Sequence, residues 1–203
     1  MRTVGSVLKN AMALMIFFLI LCCVIYPLIV TGISQLAFSK QANGSLIQVN
    51  GETVGSELIG QAFTDNRFFK GRVSAVNYNT YTKEEADKEV ASGSYNYGAS
   101  SPKLKERVEQ SIDTFLKENP DVKKEDIPTD LLTASASGLD PHISKKAAEI
   151  QVPAIAKATG LSEQQLKSMI KEHTQEKVLG IFGEETVNVL TLNLSVAKAI
   201  HLI

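Results

Sequence analysis

The segment Thr133–Ser144, TASASGLDPHIS, gathers Ser135, Ser137, Asp140 and His142 within eight positions. Three chemistries use such a set. In a hydrolase, Ser137 would be the nucleophile, His142 its base and Asp140 the group that orients the base. Triads of this kind are assembled from distant parts of a chain, because a tight segment rarely aims three of its own side chains at one another. No G-x-S-x-G turn occurs either. In a metal site, His173 and Glu184 would join Asp140 and His142. The chain has three histidines, none at H-x-x-x-H spacing. In a structural loop, Asp140-Pro141 makes a turn and Ser144 caps the helix that follows. The structural loop asks least of the segment.

Two other stretches invite chemistry. Ser92–Pro102, SGSYNYGASSP, has the small and turn-forming residues of an ordered loop. It lacks the G-x-x-x-x-G-K-[ST] spacing that cradles a phosphate, as does the rest of the chain. Arg67, Phe68, Phe69 and Arg72 interleave bases with aromatics in the manner of a nucleic-acid surface. Four residues in an acidic domain are a weak footprint, and no nucleic-acid partner is expected.

The elements that position these residues begin with an anchor. Ala11–Phe38 is a run of 28 residues without a charged side chain. As a helix it reaches roughly 42 Å, more than the roughly 30 Å of a bilayer core. Arg2 and Lys9 precede it without an acid, so residues 1–10 are expected in the cytoplasm, 11–38 across the bilayer, and 39–203 outside. A cleaved signal would have an apolar core of about half this length and a small-x-small site. Leu21 before Cys22 is too large for a lipoprotein signal. Cys22 and Cys23 read as apolar filler, and the outer part has no cysteine for a disulfide or a thiolate metal site. One uncharged span cannot form an ion pathway alone. Pro27 is a kink candidate, and Gly32 with Ser34 offers a small surface for helix packing.

The outer part carries 19 basic and 22 acidic side chains, a net charge of −3, and is long enough for one domain with a core. Leu46–Val49, Asn50-Gly51 and Glu52–Val54 predict a hairpin on a type I′ turn. Glu84–Val90 is a short helix candidate. Ser101-Pro102 opens a helix with a stripe of Leu104, Val108, Ile112 and Phe115 or Leu116, closed by Asn119-Pro120. Val122–Pro128 is a polar connection. Ser144 opens the next helix, Pro153 breaks or restarts it, and Gly160 closes it. Ser162-x-x-Gln165 is a capping box for a helix bearing Leu166, Met169, Ile170 and His173. Thr186–Leu194, TVNVLTLNL, predicts a strand with a phase slip at Val189-Leu190, then a short helix from Ser195. The element order is α+β: one transmembrane helix followed by one extracytoplasmic α+β domain.

Together these motifs resemble the C subunit of Kdp-type potassium-transporting ATPases over nearly the whole chain. The resemblance rests first on TASASGLDPHIS with Ala147-Ala148 and Gln151-Val152-Pro153. It extends to Gly55-Ser56, Leu58-Ile59-Gly60-Gln61 and Phe63, to Ser74-Ala75 and Tyr78-Asn79, and to Ser92-Gly93, Asn96, Gly98, Ser100 and Pro102. Late in the chain it includes His173-Thr174, Leu179-Gly180, Gly183-Glu184, and Val187–Leu190 with Leu192-Asn193-Leu194. The chain departs from the family at Val73, Tyr95, Tyr97 and Ala136, at Ala154, Thr159 and Thr186 in place of arginines, and at Glu185.

The resemblance implies a non-catalytic accessory subunit of an ATP-driven potassium uptake complex. Its partners would be a P-type ATPase subunit that hydrolyses ATP and a potassium-channel-like subunit. It also implies a role as a catalytic chaperone that raises ATP affinity, with Gln151 as the nucleotide contact and ATP as the ligand. Gly60, Gln61, Phe63, Asn79, Gly98, Ser137, Gly138, Asp140, His142, Asn188 and Asn193 are the motif residues implied for docking. The anchor opposes the nucleotide role, because ATP hydrolysis is cytoplasmic and the Gln151 domain is expected outside. The expectation is therefore an outer domain that caps the potassium entrance.

Overall fold

The computed structural model describes residues 3–80 and 89–203 and divides into two units, Met1–Ser45 and Leu46–Ile203. In the first unit, α1 (Val4–Ile20), a π turn (Leu21–Ile25) and α2 (Tyr26–Ala37) form a continuous helical run, followed by the single turn α3 (Ser39–Ala42). The run Val4–Ala37 is long and apolar enough to cross a membrane. Pro27 has no N–H to donate, and its ring crowds the carbonyl four residues back. The helix answers by widening to π geometry just before it: the Tyr26 N–H reaches back to the Leu21 carbonyl.

The second unit opens with the expected hairpin, β1 (Leu46–Val49) and β2 (Glu52–Ser56), paired antiparallel with a register shift between Ile47 and Gln48. Asn50 and Gly51 both take positive φ, 52° and 85°, which the I′ turn requires. α4 (Pro102–Glu118) follows Ser101 and buries Ile112 and Phe115. α5 is one turn (Thr129–Leu132). The helix expected over Glu84–Val90 falls mostly on 81–88, outside the described residues.

From Ser144 onward, local capping sets the boundaries. β3 (His142–Ser144) runs into α6 (Lys145–Glu149), where the Ser144 hydroxyl accepts the Ala147 N–H at 3.1 Å. The helix stops and restarts as α7 (Val152–Thr159), with Pro153 in the first turn, where a missing N–H costs nothing. Gly160 closes α7 at φ 77°. α8 (Glu163–Glu172) begins on the full Ser162/Gln165 capping box.

The stretch Thr186–Leu194 is not one strand. Pairing stops after β5 (Thr186–Asn188), and α9 runs from Val189 to Ala199. The apparent phase slip is the start of a helix. Val189, Leu192 and Val196 recur at helical spacing and are buried, and the Asn188 side chain caps the first turn by accepting the Thr191 N–H at 3.1 Å.

A small antiparallel sheet, in the order β3–β5–β4 with β4 at Thr174–Gln175, sets Ile143 opposite Val187. Ile143 and Val187 share the core with Phe69, Val152, Ile155, Leu166, Ile170, Leu192 and Val196. Phe69 is fully buried yet belongs to no strand or helix. Its backbone is held by a side chain: Asn193 accepts the Phe69 N–H at 2.8 Å and donates to the Phe69 carbonyl at 2.9 Å. A carboxamide has one acceptor and one donor edge, so it pairs with a backbone as a neighbouring strand would. Asn193→Ala leaves two buried backbone groups unpaired, which costs about 2–4 kcal/mol. We expect a melting temperature lower by roughly 5–15 °C, measured by circular dichroism on the full chain in detergent.

Candidate functional site

The signature Thr133–Ser144 is the crossing point of the second unit. Each of its turns is hydrogen-bonded to a segment far away in sequence. The Ser135 N–H donates to the Val73 carbonyl at 3.1 Å, and the Gly93 N–H to the Ser137 carbonyl at 2.8 Å. The Ser74 hydroxyl donates to the Gly138 carbonyl at 2.6 Å. The Gly60 N–H donates to the Leu139 carbonyl and the Val189 N–H to the Pro141 carbonyl, at 2.8 and 2.9 Å. Asp130 then accepts the Ser144 N–H at 2.7 Å.

These approaches explain two of the glycines. At Gly60 a Cβ would lie 2.5 Å from the Asp140 carbonyl oxygen and 2.8 Å from the Tyr78 ring. At Gly138, with φ 69°, a Cβ would lie 2.8 Å from both the Gly93 carbonyl oxygen and Val76. Gly98 has neither constraint, and nothing in the structure explains it.

The polar groups of the signature are turned inward on its own backbone. The Ser137 hydroxyl accepts the Leu139 N–H at 3.1 Å, and Asp140 Oδ1 accepts the His142 N–H at 3.0 Å. The second carboxylate oxygen of Asp140 accepts Arg72 Nη1 at 2.9 Å. Ser137, His142 and Asp140 therefore do not form a relay. Arg72 is the ion partner of this turn. Its carbonyl accepts the Tyr78 hydroxyl. Burial pushes the Tyr78 phenol up to about 12, so it remains a donor.

The four residues that a metal site would use do not converge. His142 and His173 line one cleft of about 470 Å³ with Asn188, but His173 Nε2 lies 2.7 Å from the Ser195 hydroxyl. Glu184 pairs with Lys177 at 3.5 Å. Among the described residues, no three side chains converge to hold a metal.

The other motif residues act as braces. Gln61 donates to the Val54 carbonyl at 3.0 Å, and Phe63 packs on Phe68 with ring centroids 6.1 Å apart. Asn79 pairs with both backbone groups of Ala91 at 3.0 Å. Asn188 donates to the Glu57 carbonyl at 2.8 Å while capping α9.

Gln151 repeats the pattern at Lys70, the residue after Phe69. It accepts the Lys70 N–H at 2.8 Å and donates to the carbonyls of Lys70 and Ala147 at 3.3 and 2.9 Å. It is 2% exposed. A cleft of about 290 Å³ beside it is lined by Lys70, Lys117 and Lys157 together with Glu118 and Asp121. A nucleotide held by the Gln151 amide would have to release Lys70 first.

Asp140 makes the brace pH-dependent. The His142 imidazole, with Nδ1 3.7 Å from Oδ1, and then the His142 N–H and the Arg72 guanidinium hold its carboxyl at about 2, below the ordinary 3.8. At 3.7 Å the ring acts as a neighbouring dipole or charge, so the N–H and the guanidinium are the formed contacts. Because the folded value is depressed, this stabilisation is complete above about pH 4 and lost as the pH falls towards 2. Asp140→Asn does not titrate. The urea midpoint of the native chain should exceed that of the variant above pH 4, and the gap should close between pH 4 and 2. A gap that stays constant would exclude the carboxylate as its source.

Residues 8–198 match the family described as KdpC: K+-transporting ATPase, c chain. A protein of Clostridioides difficile named "Potassium-transporting ATPase KdpC subunit" is 58% identical over 205 residues, covering 97% of this chain and 99% of that relative. Proteins of the same name from Clostridium kluyveri and Caldanaerobacter subterraneus are 55% and 47% identical. They cover 100% and 97% of this chain, and 98% and 97% of their own lengths. On this match, and on one long apolar helix followed by a braced α+β unit, the chain belongs to the KdpC family.

Proposed function

We propose that this chain is the accessory subunit of an ATP-driven potassium uptake complex, working beside a P-type ATPase subunit and a potassium-channel-like subunit. The observation that carries this reading is where the polar motif groups go. Ser137, Asn188, Asn193 and Gln151 spend their hydrogen bonds on the chain's own backbone, and Asp140 on its own backbone and the Arg72 guanidinium. A docking body needs that rigidity, whereas a hydrolase needs a nucleophile, base and orienting acid in contact.

Arg2 and Lys9 favour a cytoplasmic N-terminus, with the α+β domain on the outer face and the helix of 11–38 in the cell membrane. There the domain would cap the potassium entrance of the channel-like subunit. The chaperone role, with Gln151 meeting nucleotide, draws support from the lysines of the adjacent cleft. It is opposed by the commitment of the Gln151 amide and by the expected side of the membrane. The test is protease added to intact cells whose outer face is accessible. The domain should be digested while a cytoplasmic marker survives. Protection until the cells are opened would reverse the topology and restore the nucleotide role.

A further inference from the structure

Between β4 and β5 the chain projects a tight turn, Val178–Phe182, whose apolar side chains face water. Val178, Leu179, Ile181 and Phe182 are 67, 84, 75 and 64% exposed. None of the four belongs to the core of the second unit or packs against it, so this cluster does no work in the fold. The turn is self-contained. The Val178 N–H donates to the Phe182 carbonyl and the Phe182 N–H to the Val178 carbonyl, at 2.8 and 3.0 Å. The Gly180 N–H donates to the Lys177 carbonyl and the Ile181 N–H to the Val178 carbonyl, at 2.9 and 3.2 Å. Leu179 and Gly180 both take positive φ, 55° and 73°. A bulky leucine rarely adopts that conformation, and here it goes with a side chain held out in solvent. A projection whose N–H groups are largely satisfied and whose side chains are apolar can enter a dry site at little cost in unpaired polar groups.

We infer that Val178–Phe182 is a docking knob that seats in an apolar, basic-rimmed groove on another subunit of the ATPase. This rests on the accessory-subunit reading. The collar chooses a protein over lipid. Segments that lie in a membrane interface border their apolar face with an excess of lysine and arginine. Here the one base beside the turn, Lys177, is paired with Glu184. Glu176 and Glu185 also flank the base and are exposed, which repels anionic headgroups and complements lysines or arginines on a partner's rim.

The test uses the full chain with Cys22→Ser and Cys23→Ser, carrying Ile181→Cys as the only thiol in this subunit. Its reaction with a polyethylene-glycol maleimide is read as a gel shift of this subunit. The rate is taken relative to Lys105→Cys on the exposed face of α4, in phosphatidylcholine vesicles holding the chain alone or the whole complex. Rapid labelling alone and at least tenfold slower labelling in the complex is the expected result. Equal rates in both would overturn the knob and leave the accessory-subunit reading standing. Slow labelling of the chain alone would overturn it in favour of the bilayer. Failure of any ATPase subunit to copurify with the unsubstituted chain would remove the accessory-subunit reading, and the knob with it.

Discussion

The domain depends on two carboxamides that take the place of a β-strand. Asn193 holds both backbone groups of Phe69, and Gln151 holds both of Lys70, the next residue. Phe69 must be fully buried to complete the core, but it lies in a stretch with no ladder of its own. Burying two unpaired backbone groups costs about as much as one buried phenyl ring returns. The two amides remove that penalty and, in doing so, fix α9 and the α6–α7 junction to the same point of the irregular segment. The sheet of eight paired residues is too small to organise this alone.

The same economy explains the signature segment. A loop that joins segments near residues 60, 73, 93 and 189 has few polar groups left over. Arg72 and Asp140 close the last gap with a partly buried ion pair, and Tyr78 fixes the arginine's own backbone. Residue types that suggest catalysis when read in a row are here the ones that make turns rigid: serine and aspartate accept from the N–H two residues on, and glycine admits a neighbouring backbone. A rigid loop whose serine and aspartate are satisfied internally leaves few of those groups for a ligand.

What could be read in advance follows from the range of each interaction. The Asn50-Gly51 turn, the Ser144 cap, the restart at Pro153, the Gly160 stop and the Ser162/Gln165 box are local, and the structure has each of them. The clamps were invisible because their partners are 81 and 124 residues apart. Arg72 looked like part of a basic-aromatic surface, since its carboxylate lies 68 residues away. Thr186–Leu194 misled for another reason. Val187, Val189 and Leu190 satisfy a strand's alternation for a few residues and a helix's period for longer, and only the capping bond of Asn188 decides where one gives way to the other.

The anchor and the Gln151 cleft then constrain each other. A single helix with bases on its short side and none within its span commits the following domain to one face of the membrane. The cleft beside Gln151 mixes three lysines with Glu118 and Asp121, so its charge does not choose between the faces. What separates the readings is the state of the glutamine. An amide that binds nucleotide directly must be free to turn, and this one is held at three points in a buried position. Releasing it would loosen Lys70 and, one residue away, the Phe69 anchor of the core. A contact that unfastens the domain each time ligand binds is a poor device for tightening another subunit's grip on ATP. A domain that keeps every brace closed and meets its partner through an exposed apolar turn needs no such release.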